Sequence, residues 1–181
     1  MLKALRFVGL MNAAVWFGGA VFFSFVAAPG LFQPALKRLL HDYYVGSVAQ
    51  LLQERYFLFH LVCGGIALLH TLALRLLRHR ESQRAVLGVL GGILLLSLIG
   101  KFLLLPTMSS LFQAKYSAPT WQQRGQAEAS FRRWHAASQV LNLFVLGGLG
   151  FYLWRMAGAM EENRYATPLT AANPFAGTTR L

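Results

Sequence analysis

His135, Gln139 and Asn142 stand at i, i+4 and i+7 in Ser130-Phe131-Arg132-Arg133-Trp134-His135-Ala136-Ala137-Ser138-Gln139-Val140-Leu141-Asn142. On a helix they share one face and make a polar stripe running into an apolar segment. Imidazole and amide groups are costly in hydrocarbon, so such a stripe faces protein or water and marks a functional surface. Further polar groups reach similar depth if the helices alternate in direction. His60 begins one apolar run, Lys101 ends another, and Ser97 lies one turn inside Lys101 on the same face. Ser24 and the Pro29 bend add to this layer from the first run. Nearer the other membrane face, Asn12 and His70 are expected to pair across helices, beside Thr71.

Two histidines from different helices at one depth are the minimum for a six-coordinate b-type haem, and His60 with His135 supplies the count. With Cys63 the same histidines offer a site for a soft metal ion. No dense Cys/His motif and no carboxylate occurs within an apolar run, so no bound cofactor is the first expectation and haem b the alternative. Plainer roles compete at each position. Arg132, Arg133 and Trp134 are interfacial anchors, and His135 reads equally as an anchor or a site residue. Lys101 is close enough to the interface to snorkel. His60 can be a satisfied core histidine, Cys63 a small packing residue, and His41 and His79 are solvated loop residues.

The elements that must position these groups are long apolar blocks. Of 181 residues, 56% are hydrophobic, with a mean hydropathy of +0.47. A helix needs about 20 apolar residues to cross a ~30 Å hydrocarbon core. Four stretches qualify, at residues 7–32, 57–77, 86–105 and 135–156. They predict an all-α membrane protein: a four-transmembrane-helix bundle over residues 1–156, followed by a polar, flexible C-terminal tail over 157–181. Lys3 and Arg6 before an apolar run ending in Val26-Ala27-Ala28 resemble a signal peptide. The run is too long for an h-region and Pro29 would follow the cut, so a retained first helix is expected.

Both connections on the face opposite the N-terminus are long and patterned. Leu36, Leu39, Leu40 and Tyr43 recur at helical spacing beside Lys37, Arg38 and Asp42, which predicts an interfacial helix. Met108, Leu111 and Phe112 continue a helix past Pro106 until Pro119, and residues 128–133 start the fourth helix before it enters the membrane. Each span carries a glycine doublet (Gly18-Gly19, Gly64-Gly65, Gly91-Gly92, Gly147-Gly148), read as close helix packing.

The net charge of +11 arises from 17 Lys+Arg against 6 Asp+Glu. Clustered at span ends, these cations fit lipid headgroups and topology rather than nucleic acid. The short connection holding Arg75, Arg78, Arg80 and Arg84 lies on the N-terminal side, which predicts cytoplasmic termini and, for a bacterial protein, residence in the inner membrane. The single cysteine rules out an intramolecular disulfide. Phosphate-loop and nucleophile-elbow motifs are absent from the sequence, and no carboxylate suits a proton-coupled pump, so a conventional enzyme is not expected.

Trp16-Phe17-Gly18-Gly19 through Ala28-Pro29-Gly30-Leu31-Phe32, Lys101 to Pro106-Thr107, and Phe131-Arg132-Arg133-Trp134-His135 with Asn142 give the chain a likeness over residues 5–156. In these pieces it resembles the transmembrane-protein-205-like family, known as domain of unknown function 4149. The resemblance implies a four-helix membrane protein without a settled activity. Association of the animal member with platinum-drug resistance implies handling of soft-metal compounds, for which this chain offers only Cys63 and its methionines. The expectation is a non-enzymatic accessory subunit or component of a small-solute pathway. Four helices enclose little space, so a homo-oligomer or a larger membrane complex is expected around it.

Overall fold

A computed structural model describes residues 2–77 and 83–165. Helix α1 (Leu2–Phe22) passes through a π-helical turn, π1 (Phe23–Ala27), into α2 (Ala28–Leu31); the short α3 (Pro34–Leu39) follows. Helix α4 (Asp42–Leu77) returns. Helix α5 (Gln83–Ile99) passes through π2 (Gly100–Leu104) into α6 (Leu105–Ser117), and α7 (Trp121–Tyr165) completes the chain. No strand occurs among the described residues. Four helical segments, Ala4–Leu31, Asp42–Leu76, Arg84–Ser117 and Trp121–Gly158, are long and apolar enough to cross a membrane. The protein is therefore an integral membrane four-helix bundle. Large apolar side chains such as Phe7, Phe22, Leu69 and Phe144 point outward, as a lipid-facing surface requires.

Going round the bundle, α1 packs on α4, α4 on α5, α5 on α7, and α7 on α1. The core is continuous through Trp16, Ala20, Ala67, Leu90, Leu149 and Tyr152. Both π turns have the same cause. Proline lacks an N–H and its ring collides with the carbonyl four residues back. Pro29 and Pro106 each lie two residues beyond a π turn, where Ala28 N–H donates to Phe23 O and Leu105 N–H to Gly100 O, five residues back. The wide turns absorb the prolines without ending the helix.

The helices exceed the apolar spans. At 1.5 Å per residue α4 is about 54 Å long and α7 about 68 Å, against a ~30 Å core. Their excess, with α3 and α6, forms a helical cap on the face opposite the N-terminus. This corrects the first connection: α3 stops at Leu39, Leu40 is extended, and Tyr43 belongs to the first turn of α4. The reason is tertiary. Tyr43 stacks on Phe112 and meets Tyr116 edge-on, so Tyr43 is held by α6, whereas Leu39 and Leu40 of the same stripe stay exposed, as an interfacial segment requires. Gly46 allows this, because the Phe112 ring occupies the space of its missing side chain. In the second connection α6 continues past Pro106 to Ser117 and Ala118 is extended before Pro119, as expected. Helix α7, however, starts at Trp121, ahead of the expected 128–133, with Thr120 Oγ1 accepting from Gln123 N–H.

Helix α7 continues to Tyr165, so the first part of the polar C-terminal segment, residues 157–165, is helical. Residues 166–181, with Arg78, His79 and Arg80 of the short connection, lie outside the described residues. The glycine doublets only partly serve packing. Gly19 meets Phe59, Gly64 meets Leu94 and Trp16, and Gly148 meets Ile93, whereas Gly18, Gly65, Gly147 and both members of the third doublet face open space.

Candidate functional site

A cavity of about 430 Å³ opens within the half of the bundle below the cap. Its walls come from π1, α2, α3, α4, α5, π2, α6 and α7. On α4 the lining runs from Asp42 to His60, 18 residues or about 27 Å, so the cavity is elongated along the bundle. Its register is fixed by two contacts. Near the cap, Phe112 lies against Gly46 and faces the Phe131 ring at 6.2 Å. Deeper, Tyr56 Oη donates to Asn142 Oδ1 at 2.8 Å across the bundle diagonal, and Asn142 Nδ2 donates to Ser24 Oγ at 2.8 Å. Three helical segments are thereby tied through one amide.

Five of the six residues expected to form a polar layer, His60, Ser97, His135, Gln139 and Asn142, line this cavity, but in two tiers. The outer tier holds Gln50, Gln53, His135, Ser138 and Gln139. The inner tier holds Ser24, Tyr56, Asn142, His60 and Ser97. Ser97 Oγ donates to Ile93 O within its own helix. Lys101 is not in the lining. The wide turn at π2 rotates the helix face, so Gly100 and Leu104 take the cavity side instead. Gly100 is required there, because the Phe57 ring fills the space beside its Cα.

His60 and His135 do not share a depth. Asn142 is level with Tyr56; His60 is four residues deeper on α4, and His135 is seven residues shallower on α7. Their separation along the bundle is about 16 Å, too great for the two axial ligands of one iron. Their lone pairs are also engaged. Trp16 Nε1 donates to His60 Nδ1 at 2.8 Å, and the Gln139 amide nitrogen donates to His135 Nε2 at 3.2 Å. An indole N–H and an amide NH₂ can only donate. The remaining nitrogen of the neutral His60 imidazole therefore carries a proton and presents no lone pair to a metal. No cluster of three metal-ligating side chains occurs among the described residues, and Cys63 is a buried free thiol in the core.

His60 is wholly buried. The Tyr56 ring meets it edge-on at 4.3 Å and itself stacks on Phe23 at 4.1 Å. His60 Nε2 has no partner in the protein, nor has Gln50 Nε2. Buried polar atoms are nearly always paired; His70 Nδ1 and Tyr152 Oη, away from the cavity, are unpartnered as well.

Away from the cavity, Asn12 and His70 do not bond to each other. Asn12 Nδ2 donates to Cys63 O at 3.0 Å, and His70 Nε2 pairs with Leu5 O at 2.9 Å. Both bonds join α1 to α4, but each side chain found a nearer carbonyl. The His70 ring reaches Leu5 because Gly9 leaves room for it. Arg132, Arg133 and Trp134 point outward from α7, and His41 is exposed.

Sequence reasoning missed Gln50, Gln53, Tyr56 and Trp16. The first three fall on the His60 face of α4 but precede the apolar window taken as the span. Extending that face backward from His60 would have found them. Trp16 carried no signal beyond a large apolar side chain.

A family model described as a domain of unknown function (DUF4149) matches residues 11–117. More than half of the chain is covered, and the chain belongs to this family. The matched part runs from α1 through α6 and includes Trp16, Tyr56, His60 and Ser97; His135, Gln139 and Asn142 lie beyond it. No curated protein and no solved structure matches the chain.

Proposed function

We propose that this protein is a non-enzymatic membrane component that binds a small solute in the cap-side cavity, as one member of a small-solute pathway. The observation that carries this reading is an elongated cavity of about 430 Å³ with buried, unpartnered hydrogen-bond donors on its wall. That volume lies within the range of small-molecule sites, which are largely apolar with a few convergent polar groups. The lining hydroxyls of Ser97 and Ser138 donate to backbone carbonyls and not to a histidine ring, which favours binding over bond-making chemistry. The haem alternative is disfavoured by the depth difference between His60 and His135 and by the Trp16 donor already on the His60 lone pair. The short Arg-rich connection on the N-terminal side supports cytoplasmic termini, so the cavity would face the opposite side of a bacterial inner membrane.

The test is to fill the cavity. Ala49 lines it without taking part in a side-chain bond, so Ala49→Trp places an indole in the space. Protein is extracted in mild detergent and the small molecules released by organic solvent are quantified. The expected result is a compound near equimolar with the wild type and strongly depleted in the variant. Equal recovery from both proteins, or no compound from either, contradicts the reading.

A further inference from the structure

If the cavity binds a solute as proposed, the unpartnered donors also constrain the chemistry of that solute. Indole N–H is a donor only, so its bond to His60 Nδ1 fixes that nitrogen as the acceptor. The imidazole proton is thereby held on Nε2, which is buried, without a protein partner, on a residue lining the inner end of the cavity. Trp16 thus acts as a positioning residue that keeps the proton on Nε2. Gln50 supplies a second buried donor about 15 Å further out on α4. An occupant that satisfies these donors brings acceptor oxygens.

It must also be uncharged. The charged residues in the lining are Lys37, Asp42 and Lys115, all at the outer end. Lys37 Nζ lies 3.8 Å from Asp42 Oδ1, and Lys115 Nζ lies 3.5 Å from Glu128 Oε1. An anion would have to compete with both carboxylates, and none of the deeper lining residues carries a fixed charge.

The shape and depth of the cavity add the last constraint. Its inner end lies within the apolar spans and its outer end within the cap, with Phe23, Tyr56, Phe57 and Phe112 along the way. A neutral polar group at the inner end of such a channel is accompanied by an apolar body. We infer that the solute is an uncharged lipid-like carbonyl compound whose carbonyl oxygen accepts the His60 Nε2–H.

That carbonyl could come from a quinone ring or from a glyceride ester, and the experiment separates them. Full-length protein in detergent micelles is titrated with ¹³C-carbonyl decylubiquinone, with ¹³C-carbonyl monoolein, and with oleate as the anionic comparison. Affinity is read by equilibrium binding, and hydrogen bonding by the infrared carbonyl stretch. At least one neutral probe should bind saturably with its carbonyl band shifted down, and the probe that does so identifies the source. Oleate should bind about tenfold or more weakly. His60→Phe should cost about tenfold or more in affinity and abolish the band shift, the loss expected for one buried hydrogen bond. His60→Gln keeps an N–H donor and should retain the shift, which separates the donor role from a folding defect.

Neutral probes that bind no better than they partition into empty micelles overturn the inference, as does oleate binding equal to theirs. An unshifted carbonyl band in the wild type overturns it too. If instead the compound recovered from the wild type and lost in Ala49→Trp is charged or lacks a carbonyl, solute binding stands and this assignment falls.

Discussion

Two buried histidines sit ten residues apart on α4 and serve opposite ends of the bundle. His70, in the half nearer the N-terminus, spends its Nε2 on Leu5 O, and its ring is seated against Gly9. Nearby, Asn12 bonds to Cys63 O, and Thr71 Oγ1 donates to Ala67 O. Each of these bonds runs from a side chain to a backbone carbonyl, while His70 Nδ1 and Tyr152 Oη are left without a partner among the described residues and lie outside the cavity lining. His60 has its Nδ1 bonded to Trp16 and its Nε2 buried without a partner, on a residue that lines a cavity. Above it, π1 and π2 widen two of the four walls. The same residue type on the same helix thus works as a clamp in one half and as an offered donor in the other. What distinguishes them is the space left by their neighbours, not their own chemistry.

Breaking the boundary between the halves should have the largest effect. Trp16 is fully buried, bonds to His60 on one side and meets the Tyr152 ring edge-on at 6.3 Å on the other. Trp16→Ala should cost about 3–5 kcal/mol, read as a loss of stability in detergent unfolding. Next, Gly9→Val should drive a side chain into the His70 ring and cost about 1–3 kcal/mol. Gly18→Val, into open space on the same helix, should stay within about 0.5 kcal/mol of the wild type. Equal effects at Gly9 and Gly18 would remove the contrast between packed and open glycines.

In the cavity half, Asn142→Leu deletes both bonds of the Tyr56–Asn142–Ser24 link. Hydrogen bonds between membrane helices are modest, so about 0.6–1.7 kcal/mol is expected, with a larger effect on solute binding than on folding. Lys101→Gln should be the smallest change, within about 0.5 kcal/mol and without effect on binding, because Lys101 is outside the cavity. A marked loss of binding there would return Lys101 to the site.

Much of this was legible in the sequence because hydrocarbon imposes a strong pattern. The apolar blocks announce four helices, and polar residues within them, His60, Ser97 and Asn142, announce themselves by their cost. Depth was not legible. Taking 57 and 135 as matching starts put His60 level with His135, whereas the Tyr56–Asn142 bond puts α7 about eight residues out of step with that alignment. The offset is set by cap contacts such as Gly46 with Phe112, which lie outside the apolar windows. Gln50 and Gln53 were hidden for the same reason, as an amphipathic stretch reads as a connection. The displacement of Lys101 comes from a π turn, which changes the face without changing the composition. Trp16 could not be read as a hydrogen-bond donor, because an indole in an apolar helix looks like packing until its neighbour is known.

Thr71 and Ser97 allow the contrast between the halves to be measured at matched burial. They are 2% and 3% exposed, and only Ser97 lines the cavity. With Cys63→Ala as background, Thr71→Cys and Ser97→Cys are each exposed to a small methanethiosulfonate reagent and their modification rates compared. An open cavity predicts that Ser97→Cys reacts at least about tenfold faster, a difference of about 1.4 kcal/mol in access. Equal rates, or faster reaction at Thr71→Cys, would contradict a hollow cap-side half set against a closed one.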